Sequence, residues 1–188
     1  HLRAERDADD ADAVALGADR AGDVGAVPVL AAVEDTGIGG VRVPAANLLG
    51  TTEDHLDAVR RARLAWSAAA VGVGQAVLDH VSQYVTERKA FGEPIGYRQA
   101  VAFTVADMAI EVAGLRLVVW KAAARLDRGE DASAEIAQVR SLVSRHATWI
   151  GSSGVQLLGG HGFVKEFDNE RWYRDLRAVG VMEGSVLV

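Results

Sequence analysis

Between Val101 and Leu126 the apolar residues Val101, Val105, Met108, Val112, Leu115, Val119, Ala122 and Leu126 recur at alternating steps of four and three. Steps averaging about 3.5 residues keep all of them on one side of an α-helix, the pattern of a bundle seam. An apolar side that long has to be covered by other helices. This is the cleanest period in the chain, and Gly129 ends it.

Helical patterns lie on both sides of this seam. Thr51 or Thr52 offers an N-cap, with Glu53 and Asp54 in the first turn where the helix dipole favours acids. The helix that follows is expected to turn Val59, Trp66, Val73, Val77 and Tyr84 inward, with Ala62, Ala69, Ala70 and Ala76 beside them, and to end at Gly92 and Pro94. After the seam, Asp131 or Ser133 can cap a third helix with Ile136, Val139, Val143, Ile150 and Leu157 inward. A fourth, shorter helix is expected between Asp168 and Val179. Three helices of about 25 to 30 residues with short connections pack antiparallel. The fold class is therefore all-α, an up-and-down helical bundle over residues 51–188.

The first 50 residues differ. Residues 1–27 mix Asp7, Asp9, Asp10, Asp12, Asp19 and Asp23 with alanine and glycine and show no amphipathic face, which predicts a poorly ordered tail. Residues 28–50 hold two short β-compatible runs, PVLAAVE and VRVP, around the turn-forming DTGIGG. Two such strands are not a domain by themselves, and they read as the end of a sheet plus a linker.

Composition narrows the function classes. A net charge of −6 with dispersed arginines gives no basic patch for nucleic acid. Without cysteine there is neither a disulfide framework nor a thiolate metal site, which fits a reducing compartment. His1, His55, His80, His146 and His161 show no ligand-like pairing, so no metal is expected. No run reaches the roughly 20 apolar residues of a membrane span. Arg3, Glu5, Arg6 and Asp7 are not the start of a signal peptide, so a cytoplasmic location is expected.

Chemistry concentrates in the last 40 residues. Gly159, Gly160 and Gly162 let the backbone approach a flat or charged ligand, although Gly159–Gly160 also reads simply as a helix C-cap. Glu183 stands among Val181, Met182 and Val186, so it is either a strained surface acid or a base with a shifted pKa. Arg88 can answer a helix C-terminus, and Arg63 can be a solvated charge beside Arg60 and Arg61. His146 reads as a core histidine with its hydrogen bonds met. Trp66, Trp120, Trp149, Trp172 and Tyr173 read as packing, and Arg171, Arg174, Asp175 and Arg177 as an ion-pair network.

Five blocks in order, ERKAFGEPI from Glu87, ADM from Ala106, VQLLGGHGF from Val155, ERWYRDLRA from Glu170 and MEGS from Met182, resemble the C-terminal domain of acyl-CoA dehydrogenases. The resemblance covers Pro44 to Val188 and extends weakly back to Pro28. It implies FAD as cofactor, a hydride leaving the β-carbon of an acyl-CoA thioester, and a carboxylate that takes the α-proton. The family's E-G-T block falls on Glu183, Gly184 and Ser185, which makes Glu183 the base. It also places Gly184 where a neighbouring amide polarises the substrate thioester, and puts a serine where threonine is usual. Relatives with the base on the first long helix would have it at Ala62, which cannot act as one.

By the same resemblance Arg88 reaches the FAD pyrophosphate across a subunit interface, with Phe91 and Gln99 flanking the cofactor. Gln156, Gly159 and Gly160 follow its adenine half, Arg63 lies near the substrate end, and His161 replaces a small polar residue. The implied partners are acyl-CoA, an electron-transfer acceptor protein, and either a homo-oligomer (dimer or tetramer) or a second chain. The family's N-terminal helical domain and most of its β-domain are missing from this sequence, so either it is a portion of a full dehydrogenase or it works beside another chain that provides the other half. The other reading is a non-catalytic helical scaffold subunit of a heteromeric flavoenzyme. An oxidase or flavin monooxygenase on the same fold is a further variant of the first reading.

Overall fold

The computed structural model describes residues 50–182. Residues 1–27, expected to be a tail, nearly all of residues 28–50, expected to hold two strands, and Glu183, Gly184 and Ser185 lie outside the described residues. Four α-helices make up the remainder: α1 (Thr52–Glu87), α2 (Gln99–Asp127), α3 (Ser133–Leu158) and α4 (Asn169–Ala178). A two-residue pair of strands, β1 (Lys89–Ala90) and β2 (Glu93–Pro94), and a 3₁₀ turn at Ile95–Tyr97 join α1 to α2. A second 3₁₀ turn, Gly159–Phe163, follows α3. The all-α bundle is as expected.

Local chemistry sets the helix ends. The Asp54 carboxylate accepts from the Thr51 backbone N–H at 2.7 Å and from its hydroxyl at 2.8 Å, and the Asp54 N–H donates back to Thr51 Oγ1 at 3.3 Å. This reciprocal arrangement settles the cap on Thr51 rather than Thr52. At the end of α2 the Gly129 N–H donates to Leu126 O at 2.9 Å and the Glu130 N–H to Arg125 O at 3.0 Å, with Gly129 at φ +72°. That pair of bonds is a Schellman cap, and it needs a residue that tolerates positive φ. Before α3, Asp131 Oδ1 accepts from the Ser133 N–H at 2.9 Å and from its hydroxyl at 2.5 Å.

The α2 seam is the centre of the core as expected: Met108, Val112, Leu115, Val119 and Ala122 are buried, and Val101, Val105 and Leu126 pack at its ends. Ile136, Val139, Val143 and Ile150 bury the facing side of α3. The side of α1 differs from the expected one. Its buried line is Leu64, Ser67, Ala70, Val71, Gly74, Val77, Val81 and Val85, while Trp66 and Ala69 face outward. The reason is steric. At Gly74 a Cβ would stand 3.5 Å from Val112 and 3.7 Å from Ile150, so three helices meet over a residue with no side chain. An apolar count passes over such a residue.

Two further expectations need correction. Helix α1 ends at Glu87, some five residues before Gly92, because the chain turns into the β1–β2 pair. The arginines of α4 form separate local pairs and not a network: Arg171–Asp168 at 2.9 Å, Arg174–Glu170 at 3.0 Å, and Arg177 on the Tyr173 hydroxyl at 2.8 Å. His146 is half-buried and bridges helices, its Nδ1 2.7 Å from Glu111 on α2.

Candidate cofactor cleft

The last turn of α1 and the end of α3 meet along a cleft of about 410 Å³ lined by Tyr84, Arg88, Ile95, Gln156, Leu157, Leu158, Gly159, Gly160 and His161. Four residues expected to bind the cofactor, Arg88, Gln156, Gly159 and Gly160, are thus brought together from positions about 70 residues apart in the chain. Arg88 follows directly on α1, with its N–H on Tyr84 O at 2.8 Å, and its carbonyl accepts from the Ile95 N–H at 2.9 Å. Its guanidinium forms no ion pair among the described residues, and no acid lines the cleft. A permanent cation held there without a counter-ion suits an anionic group such as a phosphate.

On the opposite wall, the Gly159 N–H donates to Gln156 O, and Gly159 has φ +60° and ψ −133°, a backbone state essentially open only to glycine. Neither Gly159 nor Gly160 has any atom within 4 Å of the place a Cβ would take. Gly162, two residues on, is the reverse: a Cβ there would overlap the Val155 carbonyl. The turn is therefore packed hard against α3 at one end and stands open at the other.

An aromatic cluster that sequence reasoning missed braces this turn. The Tyr84 hydroxyl lies 2.8 Å from His161 Nδ1 and 3.4 Å from Leu158 O. The His161 ring stacks on Phe167 with centroids 5.0 Å apart, and Phe167 meets His80 edge-on at 6.2 Å. The signal was present in the spacing. Tyr84 and Arg88 are four residues apart and so share a face at the end of α1. His161, standing where the resemblance has a small polar residue, lines the cleft.

Other expected site residues lie elsewhere. Phe91 and Gly92 form the two-residue turn between β1 and β2, with φ of +55° and +87°. Positive φ at both positions is the mark of a primed hairpin turn and is uncommon for phenylalanine. Phe91 is 94% exposed, with the Arg98 guanidinium 5.3 Å from its ring centroid. Gln99 is exposed at the start of α2. Neither lines the cleft. Arg63 is half-buried about 37 Å along α1 from Arg88, at 1.5 Å per residue, so it cannot serve the same pocket.

Among the described residues, no group of three or more His, Asp or Glu is placed to hold a metal ion. None of the described helices is long and apolar enough to cross a membrane.

Fold and cleft together define a helical-bundle domain with an anion-ready, glycine-walled slot at one end. The profile of the acyl-CoA dehydrogenase C-terminal domain matches residues 54–186, and the chain belongs to this family. It is 40% identical over 149 residues to a probable acyl-CoA dehydrogenase of Bacillus subtilis, covering 77% of this chain and 39% of that protein. It is 35% identical over 149 residues to the caffeyl-CoA reductase–Etf complex subunit CarC of Acetobacterium woodii, with the same 77% and 39% covered. The solved butyryl-CoA dehydrogenase of Megasphaera elsdenii superimposes with a TM-score of 0.72 at 29% identity, covering 77% of this chain and 39% of that one. The chain spans about two fifths of the length of these relatives.

Proposed function

We propose that this chain is the C-terminal part of an FAD-dependent acyl-CoA dehydrogenase and supplies the cleft that grips the ADP half of the flavin. The observation that carries this is the convergence of Arg88, Gln156, Gly159 and Gly160 on one cleft. The donor set fits the group. Arg88 offers a planar pair of donors to the pyrophosphate, the bare glycine turn lets a flat ring lie against backbone, and the Gln156 amide can both donate and accept. When bound, FAD accepts the hydride from the acyl β-carbon. Glu183 takes the α-proton, Gly184 helps position the thioester, and Ser185 contacts the cofactor. These three assignments rest on the family motif, since their positions lie outside the described residues.

The exposed rings of Phe91 and Tyr97, 94% and 75% accessible, together with Gln99, extend this surface toward a neighbouring polypeptide. A homo-oligomer, or a second chain carrying the remaining domains, completes the substrate pocket in this reading. Arg63 serves the acyl end of that pocket, away from the cleft. An electron-transfer protein re-oxidises the flavin, as the Etf complex in the name of the Acetobacterium woodii relative suggests. The division into a 1–27 tail, a 28–50 β remnant and a 51–188 bundle, and a cytoplasmic location, belong to the same proposal.

Titration of the chain with FAD and with ADP, followed by calorimetry, tests it. Both should bind, and Arg88→Gln should weaken both by about a hundredfold, the worth of a charge-assisted pair, without moving the unfolding midpoint. Equal affinity in wild type and variant would remove the cleft from the account. In a flavin-loaded assembly containing this chain, Glu183→Gln should abolish acyl-CoA oxidation and keep the flavin bound. Undiminished turnover there would dismiss Glu183 as the base.

A further inference from the structure

His161 stands in the turn after α3, between Gly160 and Gly162, and its ring is held from two directions. It lies nearly parallel to Phe167, at 13° with centroids 5.0 Å apart. Its Nδ1 is 2.8 Å from the Tyr84 hydroxyl, which comes from the last turn of α1. Gly162 packs against the Val155 carbonyl, so the backbone beside the ring has little room to shift. The other ring nitrogen, Nε2, has no hydrogen-bond partner among the described residues, and His161 lines the cleft. One nitrogen is committed to the protein and one is not.

The Tyr84 hydroxyl has a second acceptor in reach, the Leu158 carbonyl at 3.4 Å. This pair of neighbours suits the ring in both of its charge states. With a neutral ring the hydroxyl donates to Nδ1, which puts the ring proton on Nε2. With a protonated ring Nδ1–H donates to the tyrosine oxygen, and the hydroxyl proton turns to Leu158 O. Nε2 carries a proton either way. Phe167 also tolerates the cation, since an aromatic face attracts positive charge. The ring can therefore take up a proton without losing its place or its bonds.

We infer that His161 is a second donor to the phosphate group gripped by Arg88, and that the cleft takes up a proton on His161 when this ligand binds. The inference rests on the reading that the cleft holds the ADP half of FAD, and it makes that grip tighten as the pH falls. The surrounding charges leave the proton to the ligand. From α1 the groups around the turn are Tyr84 and Arg88, with His80 across Phe167. On α3, residues 147–158 carry no charged side chain. In the loop beyond the turn Lys165 and Glu166 are exposed, and Asp168 is paired with Arg171 at 2.9 Å. On α4, Glu170 is paired with Arg174 at 3.0 Å, Arg177 is bound to the Tyr173 hydroxyl, and Asp175 is exposed. No acid lines the cleft, so the partner for a protonated His161 is a bound anion.

Calorimetric titration of the 188-residue chain with FAD across the histidine range, from about pH 8 down to about pH 5.5, tests it in buffers of different ionisation enthalpy. The FAD pyrophosphate keeps the same charge over this range, so a change in affinity reports on the protein. Wild-type affinity should rise by about tenfold toward the lower pH, with net proton uptake on binding. His161→Gln keeps a donor but cannot titrate, and its affinity should change by less than about twofold across the range. Tyr84→Phe frees the tautomer and should weaken binding by about threefold at the upper pH and by less at the lower, where both ring nitrogens carry protons. His80→Gln should keep the wild-type rise. A wild type indifferent to pH would overturn the inference, as would a rise that survives His161→Gln or disappears with His80→Gln. Equal affinity of Tyr84→Phe and wild type would remove the tyrosine from it. FAD binding weakened by Arg88→Gln but flat with pH would leave the cofactor cleft standing without His161, whereas no FAD binding at any pH would remove both.

Discussion

Gly154 and Gly160 are six residues apart and serve opposite purposes. A Cβ on Gly154 would stand 2.5 Å from Val77 Cγ1, so the glycine is what allows α1 and α3 to approach. Gly151 lets α4 close on α3 in the same way, with Leu176 3.2 Å from its Cβ position, and Gly162 seats the turn on Val155. Gly159 and Gly160 have nothing within 4 Å of theirs. The first set gives its space to the chain itself. The second keeps its space open, in a cleft beside an arginine with no ion-pair partner among the described residues. One residue type thus marks both the tightest packing in the bundle and the place reserved for something outside it, and only the neighbours tell them apart.

Substitution should break the two sets in different ways. The largest effect is expected at Gly162→Ala, where the added methyl meets backbone that cannot swing aside. It should cost about 3 kcal/mol or more of stability, read from the urea midpoint. A loss under about 1 kcal/mol would mean that the turn yields. Next comes Asn169, on the packed side next to Gly154. It is 1% exposed, and neither its amide nitrogen nor its carbonyl oxygen has a hydrogen-bond partner among the described residues. Asn169→Val removes that desolvation penalty and should stabilise by about 1–2 kcal/mol, seen as a raised melting temperature. A destabilised variant would point to a water bound to the amide.

At the open glycines the readout changes. Gly160→Val should shift stability by less than about 0.5 kcal/mol, as substitutions into open space do, yet weaken FAD by about tenfold by filling the slot. Unchanged FAD affinity would show that the turn does not touch the ligand. The smallest effect is at the start of α1. The backbone N–H and hydroxyl of Thr51 hold the Asp54 carboxyl below its usual range. A lowered folded-state pKa means that this contribution is present above the ordinary carboxylate value of about 3.9 and fades as the pH falls through the folded value. Asp54→Ala should lower the helicity of the first turn slightly at neutral pH and make no difference at the acid end, as followed by circular dichroism.

The parts that were legible in the sequence are those with a local cause. The α2 seam reads directly because its apolar residues keep an unbroken alternation of four and three from Val101 to Leu126. The caps read from short side chains that bond to backbone one turn away. The side of α1 did not, because Ser67 and Gly74, which an apolar count skips, lie in its buried line while Trp66 stands outward at 40% exposure. In the cleft, Arg88, Gln156 and the glycine pair carried a family signal. Tyr84 and His161 carried none that outweighed a packing role, since a tyrosine on an apolar helix face resembles any other core residue.

Periodicity and turn chemistry in the sequence alone determined the helices, their order and the all-α class, and the family resemblance singled out Arg88, Gln156 and the glycine pair. Which residues stand together was decided by tertiary structure. Arg88 and Gln156 line one cleft because α1 and α3 close over bare glycines, and Phe91 stays exposed because the hairpin turns it away. A 3.6-residue repeat specifies which face of a helix is apolar. The depth at which two faces meet depends on side-chain volumes summed over three helices, and no single segment contains that sum.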